Sequence, residues 1–185
     1  MEGQSKYFEE QPGDTVVRME GLSTKMPIEE LLKVFDLIGK GKVSQILPSR
    51  KGSEGSLDII YTDVVFEISK SLYGNPDNSR VAIRLWGGRV GNESTIVRWE
   101  PVLIIGEEIV VFLFIPPNNV QPIPEGFTSE NYYKVAGSSQ GKWVVEGTKI
   151  INDKSENNEY TMESIEQKIF EIKHPTTLRS GEIYN

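Results

Sequence analysis

Residues 101–116 form the most apolar run in the chain. They read Pro-Val-Leu-Ile-Ile-Gly-Glu-Glu-Ile-Val-Val-Phe-Leu-Phe-Ile-Pro, closed by Pro101 and Pro116. Gly106 and Glu107 interrupt the run, which predicts a tight turn followed by a β-strand over 108–115. The apolar residues of that strand do not alternate with polar ones. Val110, Phe112 and Phe114 point to one side, and Ile109, Val111, Leu113 and Ile115 to the other. A strand that is apolar on both faces has to be covered on both. The chain must therefore fold in layers around this segment. Its 185 residues suffice, since a chain of this size buries roughly 70% of its unfolded surface without a covalent staple.

Two further stretches show a clear period of two. In one, Ile60, Thr62, Val64, Phe66 and Ile68 share a face, against Tyr61, Asp63, Val65, Glu67 and Ser69. In the other, Val81, Ile83 and Leu85 share a face, against Arg84 and Trp86. Such alternation predicts half-buried strands of an antiparallel sheet. Shorter strands are expected over 15–19, 37–47, 94–99, 131–136, 142–145 and 148–151. The segments 48–56, 87–92 and 152–159 read as loops, and 116–130 as a long Pro/Asn-rich loop. A helix is expected over 27–35, where Ile28, Leu31, Leu32 and Phe35 fall at helical spacing behind Pro27. A second follows Thr161, with Met162, Ile165, Ile169 and Ile172 on one side. The expected organisation is an arm over 1–14, a single domain over 15–172 and a polar tail over 173–185.

These elements predict a mainly β fold. An antiparallel, five-stranded barrel of the oligonucleotide/oligosaccharide-binding (OB) type fits them, with extra strands and a helix near each end. A two-sheet sandwich is the alternative.

Composition narrows the chemistry. There is no cysteine, which removes thiolate metal sites and cysteine nucleophiles. The sole histidine, His174, lies in the polar tail, a poor place for a triad or a zinc ligand. Net charge is −7 and the basic residues are scattered, which disfavours nucleic acid. No apolar run reaches the length of about 18 residues that spans a membrane. The start, Met1-Glu2-Gly3-Gln4-Ser5-Lys6, lacks the basic and apolar regions of a signal peptide. It leaves a cytoplasmic protein or an exported one without its signal.

A series of motifs adds to this reading. It runs through residues 28–38, Gly41-Lys42-Val43, residues 60–68, Leu72-Tyr73-Gly74, Leu85-Trp86-Gly87-Gly88, residues 105–113 and residues 135–143. The series resembles a broad group of uncharacterised domains in exported or surface-attached archaeal and bacterial proteins. The resemblance covers roughly residues 27–172. It implies an OB-like barrel outside the cytoplasm and assigns no reaction.

Several stretches offer candidate sites. Gly137-Ser138-Ser139-Gln140-Gly141-Lys142-Trp143 lacks a phosphate loop's first glycine and its Ser/Thr, and reads as a hairpin turn. Glu107 and Glu108 are adjacent, so in a regular strand they would point to opposite faces and not converge, and they read as a solvated turn before a buried strand. Asp153, Glu156 and Glu159 lack calcium-loop spacing and read as a solvated acidic loop. No catalytic, metal or cofactor-binding residue is assigned. The strongest set is aromatic: Trp86, Trp99, Tyr132 and Tyr133, with Arg84 beside them and Trp143 further along. On an uncovered face these rings stack on sugars or anchor a protein partner. If the terminal helix or the long loop covers them, they are core.

The expected function is a non-catalytic extracellular or envelope-associated domain that binds protein or glycan. One rival is a carboxylate hydrolase using Asp63 and Glu108. Another is a protease-inhibitor-like barrel similar to the netrin-like modules, which rests on fold analogy and lacks their disulfides. Asn92-Glu93-Ser94 matches the N-glycosylation sequon in a surface turn.

Overall fold

A computed structural model describes residues 12–21, 25–54, 57–76, 78–116, 122–152 and 159–173. The expected arm and tail, with His174, lie largely outside them. In chain order the described strands are β1 (Thr15–Met19), β2 (Leu37–Ile46), β3 (Arg50–Glu54), β4 (Leu57–Tyr73), β5 (Arg80–Trp86), β6 (Gly88–Val90), β7 (Glu93–Val97) and β8 (Glu108–Phe114). They continue with β9 (Tyr132–Val135), β10 (Lys142–Glu146), β11 (Lys149–Ile151) and β12 (Glu159–Thr161). Helix α1 (Ile28–Leu31) precedes β2, and α2 (Met162–Lys173) follows β12. The expected helix over 27–35 is thus a single turn. The residues after it pass through a bend into β2, yet Leu32 and Phe35 stay buried.

The fold is mainly β, and its sheets are mixed. The order β1–β7–β6 makes a small sheet, and β12–β11–β10–β8–β2–β4–β5–β9 a large one, with β3 paired to β4. Two sheets are consistent with the sandwich alternative. The expectation of purely antiparallel pairing is corrected at two places, since β1 pairs β7 and β5 pairs β9 in parallel. Parallel neighbours need a long connection between them, and both pairs are far apart in sequence. β9 has a second partner in β8, which it meets antiparallel at Leu113↔Val135 and Phe114↔Lys134.

β8 lies between two cores, as its doubly apolar pattern requires. Ile109, Val111 and Leu113 join a cluster with Phe66, Ile83, Leu85 and Tyr133. Val110 and Phe112 join a second, which holds Ile28, Leu31 and Leu32 beside α1, Trp143 on β10, and Ile165 and Ile169 on α2. The second cluster gives both helices their docking surface. The entry to β8 is the expected turn: Gly106 has φ of +82°, and its N–H donates to the Val43 carbonyl at 2.9 Å.

β4 departs from its expected half-burial. Val64 and Phe66 face the first core, but Tyr61, Asp63 and Val65 on the opposite face are buried too. The segment 48–56, read as a loop, supplies β3, which pairs with the start of β4 from Arg50↔Tyr61 to Glu54↔Leu57. β6 likewise lies wholly within the segment 87–92 read as a loop, and β12 begins at Glu159, the last residue of the segment 152–159.

Candidate functional site on the face of β4, β5 and β9

Register builds this face. Arg50 on β3, Tyr61 on β4 and Trp86 on β5 stand side by side. The next outward row is Asp63 on β4, Arg84 on β5 and Lys134 on β9. Arg84 lies at the centre and is 1% exposed. Its Nε donates to Asp63 Oδ1 at 2.9 Å, and its Nη2 to Asp63 Oδ2 at 3.0 Å and to the Pro122 carbonyl at 2.8 Å. Its guanidinium lies 3.7 Å from the Tyr61 ring centroid and 4.8 Å from that of Tyr132. Arg50 reaches the same carboxylate, Nη2 to Oδ2 at 2.7 Å. Burial alone would pull the Arg84 guanidinium down; the Asp63 carboxylate more than offsets this and holds it above its ordinary value.

The aromatic set expected at a surface therefore divides. Arg84, Tyr132 and Tyr133 are core residues, 1%, 2% and 4% exposed. Tyr133 turns into the first cluster, and its hydroxyl donates to the Glu130 carbonyl at 3.0 Å. The cover over Arg84 includes Pro122, from the far part of the long loop. Trp143 is fully buried beneath the helices, with its ring centroid 5.4 Å from that of Tyr160.

Trp86 and Trp99 remain partly exposed. They meet edge to face, with centroids 6.5 Å apart and planes at 64°. Each has its own support. The backbone N–H of Trp86 donates to Glu100 Oε1 at 3.2 Å, and Lys134 Nζ lies 4.6 Å from the Trp86 ring centroid. Trp99 packs on Gly21 so closely that a Cβ there would sit 2.8 Å from its ring, and its carbonyl accepts from the Ser139 N–H at 2.8 Å. The two indoles form a braced corner beside a buried ionic cluster.

The remaining candidates scatter. Glu107 pairs with Lys142 at 2.6 Å, and the same ammonium donates to the Val102 carbonyl at 2.6 Å, which makes this carboxylate part of the turn. Glu108 lies 3.4 Å from Lys40. Glu108 and Asp63 are not brought together: Glu108 stands in register with Lys42 and, beyond it, Glu67, four residues along β4 from Asp63 and so roughly 13 Å away along the strand alone. Gly137 takes a left-handed φ of +65° and opens a 3-10 turn (Ser138–Gly141) that leads into β10, unlike a phosphate loop. Asp153 and Glu156 lie outside the described residues, while Glu159 pairs with Lys149 at 2.7 Å. No group of three metal-ligating side chains occurs among the described residues.

Sequence reasoning missed two features. One is Arg50, whose segment gave no strand signal. The other is an open cleft of about 390 Å³ whose lining includes Arg80, Glu67, Lys42 and Glu108. These four alternate in charge across β5, β4, β2 and β8. Only the pairing register could have revealed that row, and no single strand encodes it.

No family model, curated protein or solved structure matches the chain. The ordered motifs between Ile28 and Trp143 stay a resemblance. No helix among the described residues is long and apolar enough to cross a membrane.

Proposed function

We propose that the chain is a non-catalytic binding domain of an exported or envelope-attached protein, and that it takes a glycan on the Trp86–Trp99 corner. The observation that carries this reading is the pair itself: two indoles, edge to face and partly exposed, with Lys134 over the ring of Trp86 and Gly21 packed against the ring of Trp99. Sugar rings present apolar C–H faces that stack on such rings, and a fixed ring loses little freedom on binding. The carboxylates a hydrolase would use support binding over catalysis. Asp63 is held by two guanidiniums, and Glu108 faces other strands.

The proposed scaffold is an OB-like barrel. Its support is the circuit of pairings from β8 through β2, β4, β5 and β9 back to β8, with β5 and β9 parallel and the other neighbours antiparallel. In that reading β3 is a hairpin extension of the second barrel strand, and β10 to β12 with α2 wrap the outside.

The test is a titration of the protein's tryptophan fluorescence with soluble oligosaccharides, among them β-linked glucose, N-acetylglucosamine and peptidoglycan fragments. At least one should bind, and Trp86→Ala or Trp99→Ala should weaken it about tenfold, the loss of roughly 1.4 kcal/mol of stacking. Both variants should keep the wild-type circular dichroism. The reading fails if every glycan leaves the fluorescence unchanged, or if both variants unfold. Capture of a protein ligand instead, lost in the same variants, would keep the corner as the site and replace the glycan.

A further inference from the structure

Asn92-Glu93-Ser94 is the only Asn-X-Ser/Thr tripeptide in the sequence. It straddles the hairpin between β6 and β7. The pair Val90↔Glu93 leaves Gly91 and Asn92 as a two-residue loop, with Gly91 at a left-handed φ of +63°. Glycine in the first position of such a loop gives a tight turn whose second side chain projects outward. Asn92 is exposed. Its carbonyl accepts from the Thr15 N–H at 2.8 Å, which ties the turn to β1, and its side-chain amide has no hydrogen bond among the described residues. A Cβ at Gly91 would meet nothing within 4 Å, so the turn is also open on that side.

A second, independent observation comes from Ser94. It is 1% exposed, between Val16 of β1 and Arg89 of β6 in register, and its hydroxyl has no hydrogen-bond partner among the described residues. A buried hydroxyl without a partner costs the folded state stability, and alanine would fill this position better. Among the described residues no hydrogen bond depends on the one atom that distinguishes Ser94 from alanine. That atom is also the one the sequon requires, two residues after an exposed asparagine with a free amide.

We propose that Asn92 is an N-glycosylation site, read before the β6–β7 hairpin docks. The proposal rests on the export half of the functional reading. The donor is a glycan carried on a lipid diphosphate. The Asn92 amide nitrogen forms a C–N bond to the anomeric carbon, the C–O bond to the diphosphate breaks, the lipid diphosphate leaves, and the amide gives up one proton. Because Ser94 is buried in the finished sheet, modification has to precede docking. The glycan then projects from the turn into solvent and shields the small sheet.

To test it, the full chain is secreted behind a host signal peptide from cells that N-glycosylate, with a reporter sequon fused after Asn185. Peptide mass mapping is done before and after glycosidase treatment. The expected result is a glycan on Asn92 in the wild type and in Ser94→Thr, and none in Asn92→Gln or Ser94→Ala. Ser94→Ala should melt no lower than the unglycosylated wild type. A bare Asn92 beside an occupied reporter overturns the proposal, as does a marked drop in the melting temperature of Ser94→Ala. Because the host signal delivers the chain whatever its native address, either failure leaves the Trp86–Trp99 reading to its own titration.

Discussion

Two guanidiniums share the Asp63 carboxylate, Arg84 through two hydrogen bonds and Arg50 through one. The two are unequal in energy. Arg84 and Asp63 are both buried, so removing either leaves an uncompensated charge in a poorly solvated place. Asp63→Ala should cost about 3–5 kcal/mol in urea unfolding. Arg50, whose side chain is 36% exposed, should cost no more than about 1 kcal/mol as Arg50→Ala. Equal losses at the two positions would mean that the cluster is solvated and would remove this account. The alternation over 80–86 places Arg84 on the face opposite Val81, Ile83 and Leu85, and there it stands. That the face is covered was not readable from β5. Tyr61, Tyr132 and Pro122 form the cover, and each comes from another part of the chain.

At the scale of elements, legibility follows the strength of the local pattern. β1 matches its expected bounds residue for residue, β5 spans the alternating residues Val81 to Trp86 together with Arg80, and β8 falls one residue short of its expected end. β8 had the clearest signal, because only a strand buried twice needs apolar residues on both sides. β3 had none: Arg50, Lys51, Gly52, Ser53 and Glu54 carry no period, and it is a strand because β4 offers an edge to pair with. Close approach between strands also sets glycine positions. A Cβ at Gly41 would lie 2.0 Å from the Glu67 carbonyl oxygen, where β2 shifts register on β4. Gly41→Val should therefore force the strands apart and cost at least about 2 kcal/mol, measured by chemical denaturation. A loss within error would show that the shift can absorb a side chain. α2 begins as expected at Thr161, whose hydroxyl accepts from the Ser164 N–H at 3.1 Å while Ser164 Oγ accepts from the Thr161 N–H at 3.0 Å. Thr161→Ala should cost about 1 kcal/mol in the same measurement. No loss there would mean that Ser164 caps alone.

For the molecule as a whole, the second core joins its two ends. α1 and α2 are far apart in sequence and meet over Val110, Phe112 and Trp143. An ion pair between Lys168 of α2 and Glu29 of α1 lies at their junction. The hydrogen bond from Lys168 is the main cause that holds the Glu29 carboxyl below its ordinary value, and the same bond holds the Lys168 ammonium above its own. The Glu29 contribution is present above its unfolded pKa of about 4.3 and is lost as pH falls through the lowered folded value. The Lys168 contribution is present below about 10.4 and is lost as pH rises through the raised folded value. Lys168→Met should therefore be less stable than wild type near neutral pH, and the gap should close in strong acid and strong base. With side chains 32% and 47% exposed, the gap is about 0.5 kcal/mol at most. A gap that does not change with pH would assign it to packing of the lysine stem.

The sequence by itself determined the mainly β class, the turn at Gly106, the need for cover on both faces of β8, and the position of each strongly patterned strand. All of these are written in the spacing of apolar residues along a single segment. The tertiary structure alone decided which strands pair in parallel, that Arg84 and Tyr132 are core while Trp86 and Trp99 keep a partly open corner, and that Ser94 is buried with its hydroxyl unpartnered. Those outcomes depend on which distant segment covers a face. A period of two says that a strand has two sides, but not what lies against them.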